Sequence, residues 1–204
     1  MKEQKLYIEE WFPTQIMCTN ADNLLPLALK MFAVTDMSSY KTDKYDNGYT
    51  SYFGNSRMPD IPEVEQFKNE LVAICSLFAN HQSVDLKNNT LKVDDIWMNC
   101  MERNGTHAAH VHGESHYSGT FYINAPEGVG KIRFHSPIRQ YWDFCSPPLL
   151  KSADGNRESC AYTQHVPAPG KLVMWNSWLK HEVMPHQSDE ARLSISFNIY
   201  AHPN

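Results

Sequence analysis

Apolar positions along this chain change rhythm once. Up to about residue 90 they recur at helical spacing, and from Leu91 onward they alternate. The first helical stretch runs from about Asp22 to Phe32, with Leu24, Leu25, Ala28, Met31 and Phe32 on one face and Pro26 tolerable only in the first turn. A second helix is predicted to start from an Asp60 cap, with Pro62 and Glu63 in its first turn. Its apolar stripe of Val64, Phe67, Leu71, Ile74, Cys75 and Phe78 should pack against the outside of a sheet. Between the two, Tyr40, Tyr45, Tyr49, Tyr52 and Phe53 stand among the turn signals Asp46-Asn47-Gly48 and Pro59. That pattern reads as a loop held to the body by its rings, in preference to a substrate-contacting lid.

Eight strands follow, at 93–102, 107–113, 117–124, 130–135, 160–166, 171–175, 180–184 and 191–200. They are separated by Glu127-Gly128, Pro147-Pro148, Asp154-Gly155, Pro169-Gly170 and the run from His186 to Asp189. Eight short strands with such breaks predict a jelly roll. With no linker or repeat in 204 residues, one domain is expected: a helical support over 1–90 and a β core over 91–204.

The last strand fixes which side faces inward. Leu193, Ile195, Phe197 and Ile199 lie on one side, Arg192, Ser194, Ser196, Asn198 and Tyr200 on the other. A solvated face would carry Lys and Glu; one arginine followed by small hydroxyls and an amide suits a cavity instead. The strand 117–124 repeats the arrangement, with Ser118, Thr120, Tyr122 and Asn124 opposite Tyr117, Gly119, Phe121 and Ile123. An arginine in such a cavity needs a partner, which a ligand carboxylate supplies.

Composition narrows the picture. A formal charge of −5 with no Lys/Arg run argues against a nonspecific nucleic-acid groove or an anionic membrane surface. No apolar run is long enough to span a bilayer, and Met-Lys-Glu-Gln-Lys lacks the apolar core of a signal peptide, so a cytoplasmic protein is expected. Five cysteines, at 18, 75, 100, 145 and 160, without a CxxC pair point to reduced thiols, Cys75 being core filling.

The candidate chemistry is concentrated in His107-Ala108-Ala109-His110-Val111-His112-Gly113-Glu114-Ser115-His116, which holds four of the ten histidines. In an extended strand His110 and His112 point the same way, with Val111 turned oppositely into apolar packing. His181, in another strand, is the candidate third ligand. Three protein ligands leave positions open for chemistry.

In order along the chain, His110-Val111-His112, Ser118-Gly119-Thr120-Phe121-Tyr122-Ile123-Asn124, Pro169-Gly170-Lys171-Leu172-Val173-Met174-Trp175, His181-Glu182-Val183-Met184-Pro185 and Arg192-Leu193-Ser194-Ile195-Ser196-Phe197-Asn198 resemble the double-stranded β-helix of Fe(II)/2-oxoglutarate-dependent oxygenases. Within that superfamily the set is similar to a small subfamily of phage and marine bacterial type. The resemblance covers roughly residues 95–200. It implies a mainly β fold with flanking helices, cupin-like in architecture. It further implies His110, His112 and His181 as metal ligands for Fe(II), and Arg192, Ser194 and Tyr122 as the site for 2-oxoglutarate.

The usual triad holds one carboxylate, which His112 replaces here; a rival register through Glu114 would restore it, and the H-x-H reading is preferred. Activity would consume O2 and 2-oxoglutarate, release succinate and CO2, and hydroxylate a substrate the sequence does not name. Trp97, Asn99, Tyr141 and Trp142 are the candidate substrate contacts, the last two in the long segment from Gln140 to Tyr162. His107, His116 and His135 receive no role. A three-histidine dioxygenase without 2-oxoglutarate, or a non-catalytic β-barrel binding a metal or small acid, is the competing expectation. The oligomeric state stays open.

Overall fold

In a computed structural model of the protein, residues 13–43, 47–138 and 161–204 are described. Ten strands among them form two antiparallel sheets. The larger runs in the order β1 (Ile16–Asn20), β8 (Lys171–Asn176), β5 (Tyr117–Asn124), β10 (Arg192–Pro203), β3 (Asn89–Met101) and β2 (Gly48–Thr50). The smaller runs β4 (His107–His110), β9 (His181–Val183), β6 (Ile132–His135) and β7 (Tyr162–His165). From β3 to β6 and again from β7 to β10, successive strands alternate between the two sheets, the crossing pattern of a double-stranded β-helix, as expected from the sequence.

Two helices, α1 (Leu25–Ala33) and α2 (Pro62–His81), cover the outer face of the larger sheet. Leu27, Ala28 and Met31 of α1 and Phe67, Leu71 and Cys75 of α2 join Phe121, Ile195, Phe197 and Ile199 in one buried cluster. The apolar side of β10 therefore meets the helices, which leaves its polar side facing the other sheet. The ring contact of Phe67 with Phe121, centroids 5.7 Å apart, marks this seam. Gly119 allows the same closeness from β5, since a Cβ there would run into the Phe197 ring.

Several local expectations are corrected. Strands do not begin only after the helices: β1 precedes α1 and pairs with β8 through Ile16 and Trp175 to Asn20 and Lys171. Asp60 does not cap α2; Ile61 holds that position without a side-chain hydrogen bond, and Pro62 opens the helix. The loop at 40–60 contains β2 and a 3-10 turn over Ser51–Phe53. The spacing Val93, Ile96, Met98, irregular for a strand, is explained by a bulge opposite Asn198 and Ile199 that turns Val93 and Ile96 to the same helix-facing side. Among the described residues, no helix is long and apolar enough to cross a membrane.

Candidate active site

Register places side chains of the two sheets in facing rows. On the larger sheet, Asp95, Asn198, Ser118 and Trp175 are cross-strand neighbours, followed by Trp97, Ser196, Thr120 and Val173, then Asn99, Ser194 and Tyr122, then Met101 and Arg192. On the smaller sheet, His110, His181 and Phe134 form one row, and His107, Val183 and Ile132 the next. A cavity of about 390 Å³ lies between them, lined by His107, His110, His112, His181, Trp97, Trp175 and Arg192 among others. That volume suits a small molecule.

Three histidines converge at one level of this cavity. The ligand-capable atoms of His110, His112 and His181 all lie within 4.8 Å of one another, and the His112 and His181 rings are parallel within 3°. Strand pairing sets two of them opposite each other. His112 is different: β4 ends at His110, so His112 stands in the following turn, and Val111 is 52% exposed, not packed in apolar surroundings as the strand reading required. What holds His112 is its amide, which donates to the Ser177 carbonyl at 3.0 Å. The Ser177 hydroxyl meets those of Ser115 (2.7 Å) and Ser118 (2.8 Å), and Ser118 donates to Asn198 Oδ1 at 2.8 Å. This hydroxyl chain ties the turn to the cavity floor.

The ring chemistry favours a metal. His110 Nδ1–H donates to the Ala108 carbonyl (2.8 Å) and His181 Nδ1–H to the Leu179 carbonyl (2.9 Å), which leaves each Nε2 lone pair available. Burial drives the imidazoles toward the neutral form: His181 is pushed down to about 2, His112 to about 4, and His110 also falls. Neutral imidazoles bind cations without losing protons first. Glu114 is exposed, and the convergent set contains His112 instead.

At the other end sits Arg192, 3% exposed. Its guanidinium lies 4.9 Å above the Tyr122 ring and reaches Ser194 Oγ at 3.4 Å. No ion pair joins it to a carboxylate among the described residues. Tyr122 and Ser194 are buried beside it, and burial raises the Tyr122 phenol against the opposing charge of Arg192. Four buried side-chain polar atoms of the described residues lack a hydrogen-bond partner: Arg192 Nε, Tyr122 Oη, Thr120 Oγ1 and Trp175 Nε1. All four belong to the inner face of the larger sheet, and two of them can only donate. Each orphan costs roughly 1–3 kcal/mol unless a ligand meets it, so the cavity is built for an acceptor-rich, anionic guest.

Trp97 and Asn99 both line the cavity. Asn99 accepts from Thr50 (2.8 Å) and donates to Ser196 (3.0 Å), stitching β2, β3 and β10 together. Tyr141 and Trp142 lie outside the described residues. Of the unassigned histidines, His107 lines the cavity beside His110, their centroids 4.2 Å apart, and burial lowers it to about 3; the repeat of β4, disturbed between His107 and His110, hid it from alternation. His135 pairs with Glu182 at 3.1 Å, and His116 is exposed. Sequence reasoning also missed Asp95, Tyr52 and Phe53 on the cavity wall. Tyr52 packs edge-on against Trp97 (4.9 Å) and under Arg57, which pairs with Asp95 at 2.5 Å; the 40–60 segment is thus ring-stapled and lines the mouth as well.

The fold is shared with solved oxygenases. A prolyl-4-hydroxylase from Pseudomonas putida is 15% identical, with 94% of each chain covered and a TM-score of 0.58. HygX from Streptomyces hygroscopicus, with nickel and 2-oxoglutarate bound, is 11% identical over 92% of this chain and 83% of its own, TM-score 0.58. An oxidoreductase of the 2OG-Fe(II) oxygenase family from Burkholderia pseudomallei is 13% identical over 72% of this chain, TM-score 0.51, and this chain spans 62% of its length. No curated protein matches the sequence. Residues 95–198, just over half of the chain, match the family described as "Putative 2OG-Fe(II) oxygenase". On that match, which contains the three convergent histidines and Arg192, the chain belongs to the 2OG-Fe(II) oxygenases.

Proposed function

We propose that the protein is an Fe(II)- and 2-oxoglutarate-dependent dioxygenase of the hydroxylase type, with His110, His112 and His181 holding the metal and Arg192 anchoring the cosubstrate. The observation that carries the reading is a buried guanidinium, without a protein carboxylate among the described residues, in the same cavity as three convergent neutral imidazoles. Bound together, Fe(II) and 2-oxoglutarate couple O2-driven decarboxylation to succinate and CO2 with hydroxylation of a substrate carbon.

The chain's own contribution is placement. Nδ1 anchoring at Ala108 and Leu179 orients two ligands, and the Ser177 hydroxyl chain supports the third. Arg192 offers a charge-assisted fork to the distal carboxylate, with Tyr122 and Ser194 beside it. Val183 and Ile132, in the row of His107, add apolar lining that disfavours water in the cavity. The primary substrate enters from the side of Trp97, Tyr52 and Phe53, with Asn99 on the floor. A reducing, cytoplasmic setting suits the unpaired Cys18, Cys75 and Cys100.

The test is succinate formation by purified protein given Fe(II), 2-oxoglutarate and O2, without added substrate. Slow succinate release is expected and should disappear in Arg192→Met. Metal-dependent O2 uptake that ignores 2-oxoglutarate would support a three-histidine dioxygenase instead, and no O2 uptake would support a binding barrel.

A further inference from the structure

Trp175 carries a donor that nothing in the protein satisfies. Its side chain is 2% exposed, its Nε1 has no hydrogen-bond partner, and it lines the cavity. Its position along the cavity is set independently by two contacts. The Trp175 ring packs edge-on against His181 with centroids 4.6 Å apart, whereas Arg192 lies at the other end over Tyr122. Register agrees, since Trp175 shares a row with Ser118 and Asn198, and Tyr122 shares its row with Ser194, four residues further along β5 and β10.

An indole N–H can only donate. A buried donor left unmet loses free energy that a correctly placed acceptor restores. Ser118 is committed to Asn198 and Ser177, and Ser196 to Asn99; Thr120 Oγ1, one row nearer Arg192, is also unmet, but a hydroxyl can accept as well as donate. Trp175 at the histidine end has no such alternative. An edge-on approach to the His181 ring could offer the N–H a π face, a weak interaction that leaves most of the cost in place.

We propose that Trp175 is a cosubstrate-binding residue, donating its indole N–H to the carboxylate of a 2-oxo acid at the metal end of the cavity, opposite the end served by Arg192. The inference rests on the cosubstrate reading above. Its consequence is a division of labour. Arg192 selects for a second carboxylate, and Trp175 recognises the 2-oxo acid head common to short and long cosubstrates.

The two roles separate in calorimetric titrations of Ni(II)-loaded protein with 2-oxoglutarate and with 2-oxobutyrate, which lacks the distal carboxylate. Trp175→Phe should weaken both acids by about tenfold, the worth of one hydrogen bond to a charged acceptor, with Ni(II) affinity unchanged. Arg192→Met should weaken 2-oxoglutarate alone. Unchanged binding of both acids by Trp175→Phe would overturn the proposal, as would a loss confined to 2-oxoglutarate. In wild-type protein loaded with Zn(II), 2-oxoglutarate should move the Trp175 indole proton resonance downfield, and a resonance that stays in place would overturn the proposal even if the variant fails to fold. Wild-type protein that binds neither acid would instead sink the cosubstrate reading itself.

Discussion

His110 and His181 are register partners across β4 and β9, and their rings lie 4.3 Å apart. Backbone pairing therefore presets two ligands before any ion arrives, at little further ordering cost. Replacing either with Ala removes a ligand and leaves a pair. Ni(II) affinity should fall by more than the ~10–100-fold typical of losing a supporting outer partner. Glu114→Gln, at an exposed position, should leave it unchanged in the same titration. A loss in Glu114→Gln would revive the carboxylate register.

Support for His112 predicts a different signature. Ser118 bridges Ser177 and Asn198 through one buried hydroxyl, so Ser118→Ala takes the donor from Asn198 Oδ1 and leaves the Ser177 hydroxyl with Ser115 alone. The expected cost is about 1–3 kcal/mol of stability, or several degrees in Tm. Metal affinity should fall as well, because the turn carrying His112 loosens. A lower Tm with native Ni(II) affinity would show that the hydroxyl chain serves the fold alone.

Acid should act on the metal-free fold before it acts on metal binding. His107, His112 and His181 are held down to about 3, 4 and 2, chiefly by burial. In the unfolded chain each titrates near the ordinary value of about 6.5. Below that value the unfolded chain takes up protons that the folded chain refuses, so stability is intact above about pH 6.5 and lost progressively toward pH 4. Thermal melts of metal-free protein should show this decline. Ni(II) affinity between pH 7 and 5.5 should change little, whereas imidazoles of ordinary basicity would weaken it steeply across that range.

Gly119 gives a prediction about the fold. A Cβ added there meets the Phe197 ring, which is itself fully buried between β10 and the helices. Gly119→Ala should destabilise by about 1–3 kcal/mol through overpacking, read as a lower denaturation midpoint. Since the added methyl points to Phe197 on the helix side and away from the histidines, Ni(II) affinity of the folded fraction should persist.

Strong periodicity was legible in the sequence. The nine residues from Arg192 to Tyr200 assigned both faces of β10 correctly because one face meets helices and the other a cavity, and the same two environments sort β5. The convergence of His110, His112 and His181 was also expected, although for His112 the reason differs: a turn held by Ser177 replaces strand alternation. Short or interrupted elements carried too little pattern. Three residues of β2 and five of β1 offer no period to count, and the disturbed repeats in β3 and β4 moved Asp95 and His107 onto the cavity wall unannounced. The orphaned Trp175 donor is a property of packing alone, invisible until its neighbours are placed.

The central claim is that one cavity holds a metal at three imidazoles and a dicarboxylate at Arg192. Anaerobic titration of the protein with Fe(II) and then 2-oxoglutarate addresses it directly, by absorbance. A metal-to-ligand charge-transfer band should grow to one equivalent in the wild type, vanish in His181→Ala and demand far more 2-oxoglutarate in Arg192→Met. A wild-type protein that binds Fe(II) yet develops no band with saturating 2-oxoglutarate would contradict the account.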